Sequence, residues 1–131
     1  MYAYCTYCSA EKKEIEEPIP AVERYKSARI QTVFSLAKAQ GIKFLILSGS
    51  YGLLEATDKI DCYNHLLLEH EVEKKALFVS AQLKEKKISN IIFYTNSVIQ
   101  DPNLKPYIRC IKIACTRAGV TLELKRCSFE D

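Results

Sequence analysis

No apolar run in this sequence approaches the roughly 20 residues that a membrane-crossing helix needs. The N-terminus, MYAYCTYCSAEKK, has no basic segment leading into a long apolar core, so it does not read as a secretory signal. Together these absences lead us to expect a cytoplasmic protein with reduced thiols and no membrane partner. Glycine is scarce, at four residues, and no Gly-x-Gly-x-x-Gly occurs, so no dinucleotide cofactor is expected. No Gly-x-Ser-x-Gly elbow is present, and no Ser/His/Asp triad can be assembled. Cys62, Cys110, Cys115 and Cys127 lack the spacing of zinc ligands and read as small buried or semi-buried residues, so no metal is expected. An excess of one charge is missing too: nineteen basic residues face sixteen acidic ones. They alternate, as in EKKEIEE and EHEVEKK, which describes a solvated helix face rather than a nucleic-acid stripe.

What is present is ordinary for a globular domain. The 131 residues fit one domain over residues 1–131, large enough to fold without staples. Tyr2 to Tyr7 reads as a first strand and Ser9 to Pro20 as a polar loop. Val22 to Gln40 has helical apolar spacing and stops at Gly41. Phe44 to Leu47 is a second strand, Gly49 to Asn64 a long loop, and Leu66 to Lys87 a second helix. Asn90 to Thr95 is a third strand and Asn96 to Pro102 a loop. Lys105 or Pro106 opens a third helix that runs to about Ala118, with proline suited to its first turn. Gly119 ends it, and Thr121 to Arg126 alternates as an edge-like fourth strand. This order predicts an α/β, three-layer, Rossmann-like domain. Its sheet would have four parallel strands in the order 2-1-3-4, with right-handed crossovers and helices on both faces.

The sharpest local signal is Lys43 to His65, KFLILSGSYGLLEATDKIDCYNH. An unbroken apolar run closed by small polar residues reads as a strand covered on both faces. In such sheets ligands bind beyond the carboxyl ends of the strands. Ser48, Gly49, Ser50, Tyr51 and Gly52 stand there, while Leu53 and Leu54 are expected to return to the core. Asp58, Asp61, Tyr63, Asn64 and His65 follow closely. They supply carboxylate, phenol, amide and imidazole groups suited to reading a base or sugar and to acid–base work. His65 serves a capping or surface role equally well, and Asn64 is a candidate N-cap. His70 lies in a charged helical run and reads as solvated.

Two further segments carry candidates. Cys5-Thr6-Tyr7-Cys8 is a Cys-x-x-Cys, but Cys5 falls inside the predicted strand and not at a helix start, which disfavours a redox pair. The preferred reading places Cys5 in the core and Cys8 on the crevice. Ser9 and Lys12 follow, where small residues let backbone N–H groups approach an anion and a lysine adds charge; a plain polar loop explains the segment as well. Arg24-Tyr25-Lys26-Ser27-Ala28-Arg29 reads as a helix opening suited to phosphate or carboxylate, or as an amphipathic face with snorkelling cations. The loops after the first two strands leave one edge of the sheet and can converge on one crevice.

Four stretches resemble a family of small bacterial and phage domains of unknown function. They are Cys8-Ser9-Ala10-Glu11-Lys12, Tyr25-Lys26-Ser27, Leu47-Ser48-Gly49-Ser50-Tyr51-Gly52-Leu53 and Ile60-Asp61-Cys62-Tyr63-Asn64. The family pattern has Cys-Ser-x-x-Lys, Tyr-x-Ser, Leu-Ser-Ala-Lys-Tyr-Gly-Leu and Ile-x-Pro-Tyr-Asp in these places. That family is distantly similar to the peroxide-stress YaaA proteins and to a domain of archaeosine-type tRNA modification enzymes, which implies a nucleotide- or nucleic-acid-linked role. This chain departs from the pattern: Gly49 and Ser50 replace Ala-Lys, Cys62 replaces Pro and Asn64 replaces Asp. By the resemblance, the first change removes a candidate phosphate contact and the last a candidate acid or base, for which Asp61 could partly substitute.

The resulting expectation is a protein that binds a nucleoside, nucleotide or modified base at the carboxyl edge of its sheet. As ligand-binding residues we take Cys8, Ser9, Lys12, Tyr25, Ser27, Arg29, Ser48, Gly49, Ser50, Gly52 and Tyr63. Asp61, His65 and Tyr51 are the catalytic candidates, should the chemistry be metal-free N-glycosidic cleavage or base exchange. The rival is a non-enzymatic module that binds a protein or nucleic acid through Lys84, Lys86, Lys87, Lys105, Arg109, Lys112, Arg117, Lys125 and Arg126.

Overall fold

Tyr2–Tyr7 is buried from its second residue onward, and that double-sided burial makes it a central strand, β1, of a parallel sheet. A computed structural model of the chain describes residues 1–126; Cys127 lies outside them. In chain order the remaining elements are β2 (Ile19–Pro20), α1 (Ala21–Arg24), α2 (Ala28–Gln40), β3 (Lys43–Ser48), β4 (Gly52–Glu55) and β5 (Lys59–Ile60). After these come α3 (Val72–Glu85), β6 (Asn90–Thr95), α4 (Lys105–Ala118) and β7 (Thr121–Arg126). Among the described residues no helix is long and apolar enough to cross a membrane.

The expected sheet needs correction. It has five strands in the order β4-β3-β1-β6-β7, where four parallel strands were predicted. β3, β1, β6 and β7 are parallel to their neighbours, but β4 turns back antiparallel on β3 and pairs Ser48 with Gly52. Gly52 makes the reversal at φ +70°, a conformation that costs a glycine little. β4 escaped the sequence reading because its four residues are too few to show a period. Leu53 and Leu54 do return to the core.

Alternation along β1 distributes its side chains to two layers. On one face the Tyr4 hydroxyl reaches Gln40 at the end of α2. On the other, Cys5 lies close to Cys110 and Cys115 of α4. α3 packs along α4, so this second face is covered by two helices.

One predicted helix is interrupted and another starts later than expected. Val22 to Gln40 is not continuous: α1 ends at Tyr25, which is extended at ψ 130° and bridges to Lys12. Ser27 then caps α2, its hydroxyl accepting the Ile30 N–H at 3.1 Å. Likewise residues 66–68 are not helical. A short 3-10 turn at Glu69–Glu71 precedes α3. The two long loops also contain structure, because β2 and β5 pair antiparallel, Ile19 opposite Ile60. That ladder joins the two loops.

Candidate functional site

β1 ends beneath a cavity of about 130 Å3. Tyr7, Cys8, Ser9 and Lys12 come to it from the end of β1, Asn64, His65 and Leu66 from the segment before α3, and Asp101, Asn103, Leu104 and Tyr107 from the start of α4. Three separate pieces of chain meet here because parallel strands all deliver their following loops to one edge. Cys8 is held at the floor by its backbone N–H, which donates to Leu47 at 3.0 Å.

Beside the cavity lies a chain of hydroxyls. Ser48 Oγ accepts the backbone N–H groups of Ser50 at 3.2 Å and Tyr51 at 3.1 Å. With both lone pairs engaged, its proton goes to the Tyr63 oxygen, 2.7 Å away. Tyr63 in turn shares a hydrogen bond with the Tyr25 hydroxyl. The Lys12 ammonium lies 4.6 Å from the Tyr63 ring centre and 5.6 Å from that of Tyr25, a cation–π contact to both. Burial, and after it the nearness of Cys8, pushes the Tyr25, Tyr63 and Tyr107 phenols far above their ordinary 10.0. They stay protonated and are not anions for Lys12.

Two arginines in this region are fully buried, and neither is the exposed or snorkelling cation expected. Arg29 donates to Thr6 Oγ1 at 2.7 Å and to the Tyr7 carbonyl at 2.5 Å, and its guanidinium stacks 3.5 Å from the Tyr7 ring centre. It fixes the end of β1. Arg24 donates to the carbonyls of Lys13, Ile15, Glu17 and Ile60 at 2.6–3.1 Å and so shapes the loop after β1.

At the cavity mouth His65 Nε2 lies 2.9 Å and 3.1 Å from the Glu71 carboxylate oxygens. The Leu68 N–H donates to the same carboxylate at 3.0 Å. That N–H first, and His65 second, hold the Glu71 carboxyl below its ordinary range. Tyr107 accepts the Leu67 N–H at 3.1 Å and contacts Cys8 Sγ at 3.5 Å.

Residues 5–107 match a family of unknown function, DUF6884. The chain belongs to this family. Every residue lining the cavity falls within the matched stretch. The match gives the unknown-function family expected from the motifs and nothing finer; kinship to the YaaA or archaeosine-type proteins rests on resemblance alone. No curated protein and no solved structure matches the chain.

Within this family member the predicted residues divide. Cys8, Ser9, Lys12 and His65 line the cavity. Tyr25, Ser48, Tyr51 and Tyr63 form the hydroxyl and ring cluster beside it, with Tyr51 edge-on to Tyr63 at 5.3 Å. Ser27 caps α2 and Arg29 braces β1. Ser50 offers its carbonyl to Lys75 at 3.0 Å. Gly49 and Gly52 serve close packing: a Cβ on Gly49 would stand 2.6 Å from the His65 carbonyl, and one on Gly52 would stand 2.5 Å from Gln82. Asp61 is exposed and is not part of the cavity lining. Of the basic residues in the rival reading, Lys86 pairs with Glu55 and Arg109 with Glu69. Glu71, Asp101, Asn103 and Tyr107 carried no local motif and enter the site only through the fold.

Proposed function

We propose that the protein binds a nucleoside, nucleotide or modified base in the cavity at the end of β1. The observation that carries this reading is the make-up of the lining. Tyr7, Tyr107, Leu66 and Leu104 supply ring and apolar surface for a planar heterocycle. Asn64, Asp101 and Asn103 supply donors and acceptors for its polar edge. Lys12 is the one lysine or arginine among the described lining residues, suited to a phosphate or another anionic group. Small ligand sites have this character: mostly apolar walls with a few converging polar groups. Of the two residues expected to move protons, His65 lines the cavity and Asp61 stands outside it, and the reading is carried no further than binding.

A thermal-shift series with nucleosides, nucleotides, modified purines and sugar phosphates tests it, with Lys12→Ala and Asn103→Ala variants alongside. A ligand of the folded state raises the midpoint by mass action. The expected result is a concentration-dependent rise that shrinks in both variants. If no compound moves the midpoint of a cooperatively melting protein, the reading fails.

A further inference from the structure

Cys8 and His65 are far apart in sequence but line one cavity of about 130 Å3, and the Glu71 carboxylate lies 2.9 Å from His65 Nε2. We propose that Cys8 is the nucleophile of an acyl transfer, with His65 as its general base and Glu71 as the positioning residue. The substrate class is a small planar molecule bearing an amide or ester carbonyl. This rests on the reading that the cavity takes a small planar ligand.

Hydrogen-bond bookkeeping assigns the roles. An ionised carboxylate only accepts, so the His65 nitrogen facing Glu71, Nε2, carries the proton. In the neutral ring the lone pair is then on Nδ1, which makes the imidazole a base whose orientation is fixed by a third group. Glu71 is itself anchored by the Leu68 N–H. The thiol of Cys8 contacts the Tyr107 oxygen at 3.5 Å, and that oxygen also accepts the Leu67 N–H. Tyr107 then retains its own proton for an acceptor in the cavity it lines. An oxyanion formed at the substrate carbonyl is such an acceptor. Cys5, Cys110 and Cys115 are buried, Cys62 is exposed, and none of them lines this cavity.

The reaction balances with water as the co-reactant. His65 Nδ1 takes the Cys8 proton, and the sulfur attacks the carbonyl carbon to form a C–S bond. The carbonyl oxygen becomes an oxyanion facing Tyr107. Collapse restores the C=O bond and breaks the bond to the amine or alcohol, which leaves with the proton from His65. Water then attacks the thioester, giving one proton to His65. The C–S bond breaks, the sulfur regains its proton, and a carboxylic acid departs.

The test uses p-nitrophenyl benzoate with the full chain and follows p-nitrophenolate release and intact protein mass. We expect a burst and a benzoyl adduct mapped to Cys8, absent in Cys8→Ser. His65→Gln should slow acylation by about 10²-fold or more. Glu71→Gln should slow it and displace its pH profile, and Glu71→Asp should recover part of the rate, which loss of a purely structural contact would not do. Melting curves establish that each variant is folded. Benzoylation of Cys62 alone, or a Cys8 rate indifferent to His65→Gln in a folded variant, overturns the proposal. The two readings fail separately. A nucleoside-induced midpoint shift that survives in Cys8→Ser, with no adduct in wild type, rejects the thiol chemistry and keeps the binding site. Adduct formation at Cys8 with His65 dependence, and no shift from any nucleoside-type compound, supports the thiol chemistry and rejects the nucleoside-type ligand.

Discussion

Ser48 donates to Tyr63 at 2.7 Å while its oxygen carries two backbone N–H groups. One fully buried serine therefore closes the turn from β3 into β4 and ties it to the paired phenols of Tyr63 and Tyr25. Ser48→Ala removes the acceptor for Ser50 and Tyr51 and the donor to Tyr63. Leaving buried polar groups unmatched costs about 1–3 kcal/mol. Urea unfolding should show a loss in that range, and a smaller one for Tyr51→Phe, whose hydroxyl takes no part in the chain. Equal stability of Ser48→Ala and wild type would mean that these groups find other partners once the hydroxyl is gone.

A second prediction concerns alkaline pH. Burial raises the Tyr25, Tyr63 and Tyr107 phenols above 10.0 and pushes the Cys110 and Cys115 thiols from 9.0 to about 12. In the unfolded chain these groups ionise at their ordinary values while the folded protein holds its protons. Between those values the unfolded state binds fewer protons, so stability falls as pH rises. The stabilisation is complete below pH 9.0, the ordinary thiol value, and declines above it. Each group contributes at most about 1.4 kcal/mol per pH unit while only the unfolded form ionises. Denaturant midpoints from neutral to alkaline pH should therefore bend downward, and less steeply in a Cys110→Ala variant. A flat profile would show that these groups ionise alike in both states.

Where apolar period and element length agree, the fold was legible in the residues. Asn90–Thr95, Lys105–Ala118 and Thr121–Arg126 appear at the predicted bounds. β4 was not legible, because Leu53 and Leu54 stand in a four-residue strand between turn residues. The break at Tyr25 was hidden by a continuous helical pattern; what interrupts it is a pairing with Lys12 from a distant loop. Arg24 and Arg29 looked like surface cations because their partners are backbone carbonyls, which carry no sequence signature. The site follows the same division. Cys8, Lys12 and His65 could be named from position after a strand or within a polar cluster. Tyr107 lies in an amphipathic helix where every apolar position reads as core, and Glu71 meets His65 only across the turn before α3.

Arg24 gives a third prediction. Its guanidinium donates four hydrogen bonds, three of them to carbonyls between Lys13 and Glu17. A lysine keeps the charge but lacks the planar fork, so it cannot reach these acceptors together. Bonds to a charged donor are worth about 1.5–3 kcal/mol each, so Arg24→Lys should cost about 2 kcal/mol or more. The loss should be local first. Trypsin should cut faster after Lys12 and Lys13 in the variant, under conditions where wild type is intact. Unchanged cleavage in this loop would mean that the four bonds do not restrain it.

The last prediction separates the cavity wall from the rest of the fold. Gly49 follows β3 directly, and the segment containing His65 and Leu67 lies against its α-carbon. A Cβ there would stand 2.6 Å from the His65 carbonyl oxygen, 3.1 Å from the Leu67 nitrogen and 3.2 Å from the Tyr107 hydroxyl. The first two are backbone atoms, so no side-chain rotation relieves the overlap. Gly49→Ala must push the 65–67 segment outward, and strain of this kind costs about 1–3 kcal/mol. The displacement falls on His65 and on the Leu67-to-Tyr107 hydrogen bond, both part of the cavity. Gly41→Ala is the fitting control, because nothing lies within 4 Å of its Cβ position and only its φ of +65° is strained. Both variants should melt below wild type. Amide exchange at Leu67 should accelerate in Gly49→Ala and not in Gly41→Ala when the two are compared at equal global stability. Protection of Leu67 in Gly49→Ala equal to that in the control would mean that the wall yields elsewhere, and the contact between Gly49 and the His65 segment would not be what shapes the cavity.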